Sequence, residues 1–137
     1  MKLNRVTQNF AVAPQLSPAD LQDAADQGFA AIICNRPDGE EAGQPTADAM
    51  RQAAEAAGLS FHHIPVSGGA FPEAAVDAFG KVRRETDGPV LAYCRSGTRS
   101  IMLDALSNPD DLGAQERIEN ARQAGYDLSP FRERLGG

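Results

Sequence analysis

The chain has 137 residues, enough for one domain with one core. Its composition, 42% hydrophobic and 23% charged, is that of a soluble globular protein, and no run approaches the ~20 apolar residues of a membrane span. With a net charge of −6, no Lys/Arg cluster and no tryptophan, neither nucleic acid nor a membrane is an expected partner.

The opening Met1-Lys2-Leu3-Asn4-Arg5 carries no apolar h-region, so no secretory signal is expected. Residues 5–12 alternate and predict one or two short strands with Phe10 and Val12 facing inward. Ser17-Pro18-Ala19-Asp20 reads as a helix start, Ser17 capping and Pro18 suiting the first turn. Leu21, Ala24 and Ala25 form its apolar stripe, and Gly28 ends it. The continuous apolar run Phe29–Cys34 predicts a buried parallel strand. A polar loop rich in Gly and Pro follows from Asn35 to Pro45. Thr46 caps a second helix through Ala57, closed by Gly58. Leu59–Val66 is the next strand. Residues 67–72 form a Gly-rich loop, and residues 73–85 a third helix burying Ala75, Val76, Phe79 and Val82.

Asp87-Gly88-Pro89 turns into the strand Val90–Tyr93, and the helix after it carries Ile101, Met102, Ala105 and Leu106. Asn108-Pro109 stops that helix. A further helix spans residues 113–124, and Ser129-Pro130 opens a short terminal turn or helix. The charges in Arg83-Arg84-Glu85 and in Glu116-Arg117-Ile118-Glu119 read as solvated faces. Alternating strands and helices predict right-handed crossovers and an α/β fold with a mainly parallel central sheet flanked by helices. Ligands bind outside the carboxyl ends of such strands, so Cys34, the 67–72 loop and Cys94 should open on one edge.

That edge carries the chemistry. A short apolar strand runs into Cys94-Arg95-Ser96-Gly97-Thr98-Arg99-Ser100. Two guanidinium groups, a concave run of backbone N–H groups and a helix N-terminus all favour the thiolate over the thiol. Gly97 suits a backbone that turns sharply, while Ser96, Thr98 and Ser100 offer hydroxyls. Arg99 supplies a planar fork for an oxyanion. The pattern makes Cys94 a covalent nucleophile and the loop its cradle.

Cys34 ends a strand on the same edge, as a small buried hydrophobe or a resolving thiol. Arg36 is assigned to an anionic substrate and Asp38 to orienting Arg36 or Arg99, although Pro37-Asp38-Gly39 is also a turn sequence. His62 and His63 are strand neighbours that point to opposite faces, and no Cys/His spacing completes a zinc site. No metal and no cofactor are expected. Two cysteines make no disulfide framework, and a reactive thiol favours a reducing compartment, so the cytoplasm is the expected location.

The Cys94–Ser100 loop is similar to that of rhodanese-type sulfurtransferases, typically Cys-Arg-x-Gly-x-Arg. It also resembles the cysteine phosphatase signature Cys-x5-Arg. Here four residues separate Cys94 from Arg99, and Ser100 stands where a phosphatase arginine would fall. A shorter loop makes a tighter cradle, better suited to one sulfur atom than to a phosphoryl group. Residues 4–40, and His63-Ile64-Pro65-Val66 followed by Phe71 and a helix, resemble the opening of dual-specificity phosphatase-like domains. Taken together, nearly the whole chain resembles the phosphatase-like domain of beta-lactamase-hydrolase-like proteins, which implies a cysteine phosphatase-like architecture. Such domains are sometimes fused to sulfide-metabolising modules, which implies an enzyme of that kind as a partner.

One departure concerns the Asp general acid that dual-specificity phosphatases carry after Ile-Pro-Val. Here the loop reads Ser67-Gly68-Gly69-Ala70, leaving Asp38, Glu40, Glu41 and Glu73 to stand in as the acid from neighbouring loops. A phosphate-ester leaving group needs a proton, whereas thiolate exchange does not. Rhodanese-like sulfur transfer through a Cys94 persulfide therefore ranks first. In that scheme Arg95 meets the charged end of a small sulfur donor, Arg99 holds the persulfide and Ser100 bonds the sulfur. A cysteine phosphatase acting through a Cys94 phosphocysteine is the alternative, and a non-catalytic thiol sensor or binding domain is the second.

Overall fold

The computed structural model of the chain describes residues 1–136. Five strands, β1 (Asn4–Thr7), β2 (Phe10–Ala13), β3 (Ala31–Cys34), β4 (Ser60–His63) and β5 (Val90–Tyr93), form one sheet in the order β1-β2-β5-β3-β4. Only β1 runs antiparallel, hairpinned onto β2, and the other pairings are parallel. The helices are α1 (Asp20–Asp26), α2 (Ala47–Ala56), α3 (Glu73–Glu85), α4 (Thr98–Ser107) and α5 (Ala114–Gln123), with a 3-10 helix over Ser129–Leu135. None among the described residues is long and apolar enough to cross a membrane.

Helices cover both faces of the sheet, which is why β2, β3 and β5 are buried at every position instead of alternating. Ala11, Ile32, Cys34, Leu91 and Tyr93 pack with Leu21 of α1 and Met50 of α2. On the other face Phe10, Val12, Ile33 and Ala92 pack with Phe79 of α3, with Ile101–Leu103 of α4 and with Ile118 of α5.

Local signals fix most boundaries. The Ser17 hydroxyl accepts from Asp20 N–H while the Asp20 carboxylate accepts from Ser17 N–H, a reciprocal cap on the turn leading into α1. Thr46 accepts from Ala49 N–H at the head of α2. The expected strand 59–66 is shorter, ending at His63. Its ladder still extends through Ile64 N–H to Cys34 O and Val66 N–H to Asn35 O, but Pro65 between them has no N–H to give.

Arg83 departs from its expected solvated place. It lies buried against Asp104 and Asp110 of neighbouring segments, its guanidinium 4.6 Å from the centre of the Phe10 ring. Burying an arginine is tolerated because the Asp110 carboxylate, the Asp104 carboxyl group and an aromatic face replace its water.

Candidate active site

β5 lies between β2 and β3, so the loop leaving it is anchored on both sides. Cys94 N–H bonds Ala13 O at 3.4 Å, Gln15 N–H bonds Arg95 O at 3.3 Å, and Asn35 N–H bonds Tyr93 O at 2.8 Å. The chain then curls so that Gly97 N–H points at Cys94 Sγ, 3.1 Å away. Gly97 adopts φ +97°, a left-handed conformation that a side chain disfavours, and it sits directly before α4. The first N–H groups of α4 have no helical acceptors of their own, Thr98 N–H reaching Ser96 Oγ at 3.5 Å, and the positive end of the helix dipole lies at this turn. Cys94 is 1% exposed, at the floor of this turn.

Arg99 faces the same sulfur from the first turn of α4. Its fork is held from outside. Nη1 donates to Glu40 Oε2 at 2.8 Å and to Val66 O at 2.9 Å, while Nη2 donates to Glu40 Oε1 at 2.9 Å. Glu40 also accepts from Arg36 Nε at 2.9 Å. Two guanidiniums on one carboxylate, Arg99 foremost, bring the Glu40 carboxyl down to about 2, and Glu40 in turn raises the Arg99 guanidinium.

Arg36 is 1% exposed and is used inside the protein, bonding Gln15 Oε1 at 3.0 Å as well as Glu40. It supports the site from behind instead of facing substrate as expected. Asp38 orients neither arginine. Its Oδ1 accepts from Ala47 N–H at 2.8 Å and caps α2. The expected bond from Ser100 to the sulfur is replaced by one to Asn35, whose Oδ1 accepts from the Ser100 hydroxyl at 2.8 Å while its Nδ2 donates to Ile64 O. Ser96 and Thr98 bond each other at the exposed rim. Arg95 projects outward with its side chain 66% exposed and pairs with Glu41 at 3.7 Å.

Cys34 donates to Arg36 O at 3.5 Å, and burial pushes its thiol up, which fits the small buried hydrophobe. His63 Nε2 sits 3.0 Å from the same carbonyl, and His62 faces away from it, bonding Ser60. Sequence reasoning assigned no role to Gln15 or Asn35, and treated Glu40 as a stand-in acid. The one signal at hand was the Arg36/Glu40 spacing of four, which is ordinarily read only on a helix.

Residues 2–110 match the family described as "Beta-lactamase hydrolase-like protein, phosphatase-like domain". A Beta-lactamase hydrolase-like protein of Agrobacterium fabrum is 41% identical over 130 residues, covering 93% of this chain. The chain spans only 30% of the length of that relative. A crystal structure from Neisseria meningitidis, described as a "putative phosphatase", is 38% identical with a TM-score of 0.84, covering 98% of this chain and 96% of that one. One from Shewanella putrefaciens with the same description has a TM-score of 0.71 at 14% identity, over 98% of this chain and 83% of that one, a likeness of fold alone.

Proposed function

The chain belongs to the beta-lactamase hydrolase-like, phosphatase-like domain family, and on that premise we propose that it is a cysteine-dependent phosphatase acting on small phosphate monoesters. One observation carries the reading: the nucleophile, an inward-pointing amide and an outward-braced arginine fork converge at the head of α4. This arrangement offers fixed dipoles and positive charge where a phosphoryl group would gather negative charge.

In the first step the Cys94 thiolate attacks phosphorus. The S–P bond forms, the P–O ester bond breaks, and the electron pair leaves on the ester oxygen. Water then attacks the phosphocysteine, releasing inorganic phosphate and restoring the thiolate. The carboxyl paired with Arg99 cannot protonate the leaving group, because Glu40 stays ionised across the physiological range. Asp38 is occupied with α2. Glu41 is paired with Arg36 and Arg95, and Glu73 lies in the first turn of α3, so the reading favours phosphate esters whose leaving group departs readily without a proton.

Sulfur transfer is the second reading, favoured by the four-residue spacing from Cys94 to Arg99 and by the acid-free loop at 67–70. There the thiolate takes the outer sulfur of thiosulfate, sulfite leaves with the electron pair, and cyanide removes the sulfur as thiocyanate. The relatives' descriptions favour phosphate chemistry, so the order set by the loop spacing and the missing acid is reversed here.

Purified protein offered p-nitrophenyl phosphate should release nitrophenolate, and Cys94→Ser should abolish it. Unsubstituted phenyl phosphate should react far more slowly. Cys94-dependent thiocyanate production with no phosphate release would overturn the first reading in favour of the second.

A further inference from the structure

We propose that Tyr126 is a positioning residue for the nucleophile: bonded to the Ser96 carbonyl, its hydroxyl sets the tilt of the Ser96–Gly97 peptide and so aims Gly97 N–H at Cys94. The proposal rests on Cys94 being the reactive group, and not on which group it transfers.

Two bonds meet in one peptide unit. Tyr126 Oη donates to Ser96 O at 2.8 Å, and the N–H of the same peptide, that of Gly97, donates to Cys94 Sγ at 3.1 Å. A peptide is planar, and in the trans form its C=O and N–H point in opposite directions; no cis bond occurs among the described residues. Fixing the carbonyl on the outer side therefore fixes the N–H on the sulfur side. Without the outer anchor the peptide can rotate about its flanking dihedrals and lose the sulfur.

The hydroxyl is prepared for this task. Asn4 Nδ2 in β1 donates to Tyr126 Oη at 3.2 Å, which occupies an oxygen lone pair and leaves the phenolic proton for Ser96. Burial, with the Cys94 sulfur as a further cause, pushes the phenol up, so it keeps that proton. Tyr126 itself is pinned just after α5, where its N–H bonds Ala121 O at 2.8 Å beyond the left-handed Gly125. Gly97 completes the fit, because a Cβ there would collide with the Tyr126 hydroxyl as well as strain the φ of +97°. The brace comes from residue 126, outside the 2–110 span that defines the family match.

Tyr126→Phe keeps the ring and removes only the anchor. The other titratable and charged groups around Cys94, namely Arg99 from α4, with Glu40 behind it, and Cys34 from β3, are untouched. Iodoacetamide alkylation of Cys94, followed by mass spectrometry across a pH series, needs no turnover and is independent of the substrate question. Misaligning one donor should slow alkylation at neutral pH about three- to tenfold, less than outright removal of an oxyanion donor. In urea-unfolded protein the variant and the wild type should alkylate at the same rate, because the Gly97 N–H contact with Cys94 exists only in the fold. Asn4→Ala should produce the same change in smaller measure, and it carries the test should Tyr126→Phe not fold. A folded variant with the wild-type alkylation profile would overturn the proposal.

Discussion

Replacing Glu40 with glutamine tests the charge arrangement that holds the arginine fork. The wild-type carboxylate accepts two bonds from Arg99 and one from buried Arg36. A glutamine side chain at this position has one acceptor oxygen and would turn an amide NH2 toward a guanidinium. The shift of the carboxyl from 4.5 to about 2 corresponds at face value to about 3 kcal/mol of preference for the charged, paired form. The Glu40 side chain is 27% exposed, so solvent screening reduces this to about 1–2 kcal/mol. For a chain of this size that lowers the melting temperature by roughly 4–8 °C.

The sign with pH follows from the depressed carboxyl. Glu40 stabilises the fold fully above its unfolded value of 4.5, and the contribution is lost as pH falls toward 2. Melting curves of wild type and Glu40→Gln should therefore differ at pH 7 and converge in acid. Turnover of p-nitrophenyl phosphate should drop about 10- to 100-fold as Arg99 loses its fixed orientation. A variant that melts within about 1 °C of wild type at pH 7 and keeps full turnover would refute the claim that Glu40 organises the site.

Two further outcomes concern groups away from the sulfur. Asp104 is buried beside Arg83, with Asp110 and Arg117 near, and burial raises its carboxyl to about 7. The folded state then holds a proton that the unfolded chain gives up, so stability falls as pH rises from about 4 to 7, by about 4 kcal/mol as an upper bound. Asp104→Asn should flatten the dependence of the urea midpoint on pH between about 4 and 7; an unchanged slope would show that Asp104 is ionised in the fold. Asp38→Ala should cost about 1 kcal/mol through the lost cap on α2 while leaving turnover of the folded enzyme intact. A large loss of turnover would return Asp38 to the site.

The local signals were legible where one short stretch of chain decides the outcome. The helix at 73–85 and the strand at 90–93 appear with the expected bounds, because an apolar period or a turn sequence marks both ends. What stayed illegible depends on distant chain. Arg83 reads as solvated until Phe10, Asp104 and Asp110 are brought to it. Asp38 and Glu40 are two residues apart in one polar loop, and only the fold decides which reaches Arg99 and which reaches Ala47. Tyr126 lies 30 residues from the carbonyl it holds. The order of the two chemistries changed for a related reason: the Cys94–Arg99 spacing and the acid-free loop at 67–70 are two short stretches, whereas the family match runs over residues 2–110.

The strand that delivers the sulfur occupies the middle of the sheet, hydrogen-bonded along both sides and walled by side chains above and below. Fraying cannot reach such a strand from either margin, so its amides should exchange with solvent only when the whole domain opens. Mutations that erode the fold elsewhere would then spare the reactivity of each surviving molecule and thin out the number of survivors. Outside residues such as Glu40 that serve both, specific activity per folded protein and shelf life would respond to different substitutions, and an engineer could tune one without disturbing the other.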